Sequence, residues 1–231
     1  MSSRRAFIEQ FAVGSLFAGA MPSLVDQLRA SDPVGDGLFG TTGSAAEAWD
    51  VSWVSRVNGK YKAVFDVPEV DSGYGVWRVS IWQKQYNEVL GVKPDQLSAV
   101  LVLRHNGIAL AMQQAFWDKY AIGKKLKATH PVTEQPTDRN PAMLASSRNE
   151  VPADMDPLAL DKAIGRGVIA LACDLALQDS AATIQKADNV SPEAAYAAAK
   201  GYLIPGVILQ PSGVFAALRA QHAGCAYLRA S

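Results

Sequence analysis

Apolar positions in this chain fall into short runs, and each run is followed by a stretch with helical spacing. The run at 167–174, Gly-Val-Ile-Ala-Leu-Ala-Cys-Asp, reads as a buried strand, and Leu177, Ala181 and Ile184 behind it keep helical spacing. Residues 61–65 predict another strand, ending at Asp66. A loop then leads to a helix with Val76, Val79, Trp82, Tyr86 and Val89 on its apolar stripe and Gly91 as its stop. Residues 97–103 are apolar enough to be buried on both faces, as parallel strands are. They end at Arg104-His105-Asn106-Gly107, and an amphipathic segment with Met112, Phe116 and Tyr120 follows.

Residues 121–155 break this rhythm, with prolines at 131, 136, 141 and 152 and few apolar positions. Irregular excursions of this length are usually lids, binding loops or oligomer contacts. Asp156-Pro157 predicts a helix start that runs to about Gly165, and Ser191-Pro192-Glu193 predicts another that runs to about Lys200. Residues 207–209 form the fourth strand, Gln210-Pro211-Ser212-Gly213 its exit turn, and a helix carrying Val214, Ala217, Leu218 and Gln221 follows. A last strand spans 225–228. Strand and helix alternate, which predicts a single α/β domain: a mostly parallel sheet with flanking helices and right-handed crossovers.

The N-terminus does not share this pattern. Ser3-Arg4-Arg5-Ala6-Phe7-Ile8, followed by a mildly apolar stretch too short to span a bilayer, resembles a twin-arginine export signal. The chain therefore divides into a signal segment at 1–30, a Gly/Ser/Thr-rich linker at 31–48 and the α/β domain at 49–231. The export machinery is an expected partner and the periplasm the expected location, with the protein soluble or tethered by an uncleaved leader. Lys+Arg and Asp+Glu balance at 22 each, without the basic excess a nucleic-acid binder would carry. Two cysteines exclude a disulfide scaffold, and His130 and His222 have no partners at metal spacing. There is no GxGxxG after a strand and no Walker loop, so neither a metal nor a cofactor is expected.

In a parallel sheet, ligands meet the carboxyl ends of the strands. Those ends carry Asp66, then Arg104, His105 and Asn106, then Cys173, then Gln210 and Ser212. A thiol at Cys173 would feel the positive end of the helix that follows, which favours a thiolate, while the adjacent Asp174 disfavours one. Position alone leaves Cys173 open as a reactive thiol or a buried space-filler. His105 could transfer protons or simply hold loop backbone. If all strands run parallel, Cys225, which opens its strand, lies roughly 15 Å or more from Cys173, too far for a bridge.

The C-terminal third resembles the DsrE/DsrF-like (YchN-like) sulfur-relay family. A strand ends in Cys173; residues 204–214 match a "V-x-x-x-P-x-G-V" strand-to-helix passage; Gln221 and residues 224–228 match a closing "Q-x-x-G-Y-A-Y-I" strand. The Arg104–Gly107 turn is similar to the family's "H-G" turn. The resemblance implies a flavodoxin-like sheet and assembly into trimers or hexamers. It also implies sulfur carried as a persulfide on Cys173, with His105 nearby. Asp66, Arg104, Asn106, Gln210 and Ser212 would contact a small sulfur-containing ligand or a sulfur-relay protein, and Cys225 stands where the family has an aromatic. Two alternatives remain: a non-catalytic module that binds a small ligand under a 121–155 lid, and a partner-binding oligomer with Trp77, Trp82 and Trp117 at its contacts.

Overall fold

The computed structural model describes residues 49–231. The export signal expected at 1–30 and the linker at 31–48 lie outside the described residues. Five strands form one parallel sheet: β1 (Tyr61–Val67), β2 (Leu97–Leu103), β3 (Ile169–Cys173), β4 (Ile208–Gln210) and β5 (Ala226–Arg229), in the order β4-β3-β2-β1-β5. This is the α/β architecture with a parallel sheet that the alternating periods predict, and it is consistent with the flavodoxin-like sheet that the resemblance implies. Among the described residues no helix is long and apolar enough to cross a membrane.

The helices are α1 (Tyr74–Leu90), α2 (Gln114–Tyr120), α3 (Ile122–Leu126), α4 (Leu160–Gly165), α5 (Asp174–Asp188), α6 (Pro192–Gly201) and α7 (Gly213–His222). Side chains from α1 to α6 join Phe65, Val67, Leu101, Leu103 and Ala170 in the larger core. On the other face α7 packs Ala216, Ala217 and Ala220 onto Val64, Val100, Val102, Ile169 and Leu171. The chain thus steps from β1 to β4 over one face and returns to β5 over the other. As a result β3 exits into α5 on one side and the neighbouring β4 exits into α7 on the opposite side. Such a divergence opens the crevice where α/β sheets take ligands.

Several local expectations change. Trp77 and Trp117, expected at oligomer contacts, are buried in the core, and Trp82 packs against it. Val89, expected on the α1 stripe, is 77% exposed because the last turn of that helix runs past the sheet. Helix α4 begins at Leu160, not at Pro157. The Asp156 carboxylate accepts from the Ser146 amide and hydroxyl, both at 2.6 Å, so it does not cap a helix. Ser191 does cap α6, accepting from Ala194 N at 3.2 Å.

The 121–155 excursion is packed rather than loose. Asn140, 1% exposed, donates to Leu110 O and Met112 O (3.1 and 2.8 Å) and accepts from Ala142 N (2.9 Å). Tyr74 Oη donates to Pro131 O, and Ser72 and Thr129 share a hydroxyl hydrogen bond, which seats the excursion over the exit of β1.

Candidate functional site at the carboxyl edge

The exits of β1 and β2 are joined first by charge. Arg104 grips Asp66 with two hydrogen bonds, Nε to Oδ1 at 2.7 Å and Nη2 to Oδ2 at 2.8 Å, and Tyr227 Oη of β5 donates to Oδ2 at 2.6 Å. Burial alone would push the Asp66 carboxyl up. The hydrogen bonds from Arg104 and Tyr227, with the charges of Arg104 and Arg229, outweigh it and hold the group below its ordinary range. Its hydrogen bond to Asp66 raises the Tyr227 phenol, and burial adds to this. A bidentate guanidinium is the donor geometry a buried carboxylate needs. Gly213 lets α7 pass close by, since a Cβ there would sit 2.5 Å from the Arg104 side chain.

The next residues turn away from this triad. His105 takes a left-handed backbone (φ 52°), and Gly107 fits against β1 so closely that a Cβ would fall 2.1 Å from Val67 O. That sharp turn presents His105 and Asn106 to the loop after β1. Asn106 Nδ2 donates to Glu69 Oε2 at 2.8 Å, and His105 Nδ1 lies 3.7 Å from Glu69 Oε1. Two cavities adjoin there. One, about 160 Å³, lies among His105, Asn106, Lys125 and the α5 residues Asp179, Ser180 and Thr183. The other, about 240 Å³, lies between the loop at 69–72 and residues 126–129. Asn106 and Leu126 line both. The start of the excursion forms part of the wall of each.

The β3–β4 crevice is filled by the chain itself. Gln210, fully buried, accepts from Trp53 Nε1 at 3.0 Å and donates to Asp50 O at 2.7 Å and Leu209 O at 2.8 Å. Ser212 caps α7, its hydroxyl accepting from Phe215 N at 3.0 Å. Cys173 stands opposite Gln210 in the β3–β4 register, is 6% exposed and packs in the larger core. Asp174 accepts from Gln178 and from the Tyr196 hydroxyl. Cys173 and Cys225 are both free thiols. Cys225 precedes a strand parallel to the rest, so the two occupy opposite ends of the sheet, and burial pushes its thiol up.

Of the residues expected to meet a ligand, His105 and Asn106 therefore face open space. Asp66, Gln210 and Ser212 are committed to partners within the chain, and Arg104 to Asp66. No family model and no curated protein matches this chain. Sequence reasoning passes over Glu69, Tyr227, Trp53 and the α5 residues Asp179, Ser180 and Thr183. The last three could have been found from helical spacing, since 176, 179, 180 and 183 share one face of α5. Among the described residues no group of three or more His, Cys, Asp or Glu is placed to hold a metal ion.

Proposed function

We propose that this protein binds a small polar ligand at the carboxyl edge, in the paired cavities that share Asn106. The observation that carries this reading is the open space on both sides of Asn106, bounded by two strand exits, α5 and the excursion. Lysines and His105 there are balanced by Glu69, Asp71 and Asp179, and Ser180, Thr183, Ser72 and Thr129 add hydroxyls. Such a lining suits an uncharged or zwitterionic ligand with several hydrogen-bonding groups. The reading keeps the sulfur-relay resemblance at the level of fold, export to the periplasm and self-association. A panel of small polar metabolites, screened by ligand-observed NMR against the full chain, tests it. Hits should be lost on Asn106→Leu and on Thr183→Trp, which fills the cavity; binding indifferent to both changes would overturn it.

A second reading, persulfide transfer on Cys173, draws on one observation: the free thiol ends β3 one helical turn before Ala176, which lines the first cavity. A sulfane-sulfur donor would have to reach a thiol that is 6% exposed. Incubation with such a donor and mass spectrometry separates the two readings, since a carrier gains sulfur on Cys173 and a ligand-binding module does not.

A further inference from the structure

A separate cavity of about 390 Å³ opens away from the carboxyl-edge cleft, where the excursion meets α4 and the approach to β4. Its polar lining is uneven. Two of its lining residues, Arg139 and Arg148, pair with Glu150, which is only 14% exposed at its side chain, with Arg139 Nε and Arg148 Nη2 each 2.7 Å from its oxygens. Burial would raise that carboxyl, but the hydrogen bonds from Arg148 and Ala145 and both arginine charges hold it down, so Glu150 is anionic at neutral pH. One negative charge thus stands against two positive ones.

The two arginines differ. Arg148 is fully engaged on one side, donating from Nε to Glu150 at 2.9 Å and from Nη2 to Met143 O at 2.6 Å. Arg139 touches Glu150 at an angle that makes no hydrogen bond. Its Nε is buried without an acceptor, and none of its guanidinium N–H groups is hydrogen-bonded among the described residues. Buried donors of this kind normally have partners, and a planar fork of N–H groups fits a carboxylate best. The same cavity is lined by Asp161, a half-exposed carboxylate 3.4 Å from its neighbour Lys162. Met143, Ile204 and Pro205 supply an apolar wall between them.

We infer that this cavity binds a free α-amino acid with a short apolar side chain, its carboxylate on Arg139, its ammonium on Asp161 and its side chain against Ile204 and Pro205. A dianion such as phosphate suits it poorly, because Asp161 and Glu150 cancel the two arginine charges.

Calorimetric titration of the full chain tests the site with L-leucine, 4-methylpentanoate (leucine without its amine), 3-methylbutylamine (leucine without its carboxylate) and inorganic phosphate. Leucine should bind, 4-methylpentanoate about tenfold more weakly, and the amine and phosphate more weakly still, in line with loss of one or more charged hydrogen bonds. Arg139→Gln should weaken leucine at least tenfold. Asp161→Asn, on an accessible helix start, should weaken leucine and leave 4-methylpentanoate unchanged, which keeps the test valid if the Arg139 variant fails to fold. No leucine binding at millimolar concentration, amine binding equal to leucine, or an Asp161→Asn variant indifferent to the amine group would overturn the assignment.

Discussion

Cys173 and Gln210 face each other at the end of the β3–β4 pair, and both are withdrawn from solvent. The crevice that the topology opens at this point is closed by Trp53 and Asp50 through the Gln210 amide. Cys173 packs in the larger core and Trp53 in the smaller one, so the β3–β4 register is the link by which that amide could affect the thiol. Gln210→Leu removes the acceptor of a buried indole N–H and should cost about 1–3 kcal/mol. Labelling of Cys173 by a small maleimide should be slow in the native wild type, where the residue is 6% exposed, and faster in this variant. Equal labelling rates would show that the 50–56 segment does not guard the thiol.

Breaking the Asp66 triad should be more damaging. Arg104→Ala leaves a carboxylate that is 2% exposed without its main counter-charge, and about 3 kcal/mol of stability should be lost in urea denaturation at neutral pH. Arg104 is itself partly solvated, which keeps the loss at the lower end for a buried pair.

The same triad sets a pH dependence. The folded state holds the Asp66 carboxyl below its ordinary value, so the unfolded chain binds its proton more readily. Stability from this group is fully present above the ordinary carboxylate range. It is lost as pH falls below about 4 and through the lower folded value. Denaturation midpoints measured from pH 6 to pH 2.5 should show a slope that Asp66→Asn reduces.

Gly107→Ala tests the turn that presents His105 and Asn106. The new methyl would collide with Val67 O, a backbone atom that cannot swing aside. A loss of about 2–4 kcal/mol is expected, together with weaker binding of any ligand found in the Asn106 cavities.

Self-association should use the outer side of α7, where Val214, Phe215 and Leu218 are 63%, 38% and 51% exposed. Light scattering at micromolar concentration should give a mass above one chain for the wild type. Leu218→Glu should shift it toward the monomer without lowering the denaturation midpoint; a monomeric wild type would refute this.

That exposed α7 surface also marks a limit of the sequence. All five strands are legible in it, because runs such as 97–103 and 167–174 are bounded by sharp polar turns. Which side of a helix faces in was less legible. In α7 the larger apolar residues point out and alanines point in, because small side chains let the helix lie close to the sheet. Trp77 was hidden for a related reason: α1 buries neighbours on both sides of its expected stripe. The site divides in the same way. His105 and Asn106 follow from their place after β2, but the roles of Asp66 and Gln210 depend on Tyr227 and Trp53, each more than 150 residues away. The β1–β5 pairing brings Tyr227 in and the turn ahead of β1 brings Trp53, and neither arrangement is written in local pattern.

The spacing of the two Asp66 contacts also bears on how the molecule forms. Arg104 lies 38 residues along the chain from Asp66, whereas Tyr227 lies 161 residues away. During synthesis the β1–β2 pair can close around the ion pair early, as local contacts tend to do. The phenol arrives only with β5, and until then Oδ2 has one donor instead of two and the outer edge of β1 has no strand beside it. A nascent chain paused in that interval carries a sticky edge, so slowing translation upstream of β5 should raise its demand for chaperones more than the same delay before β2.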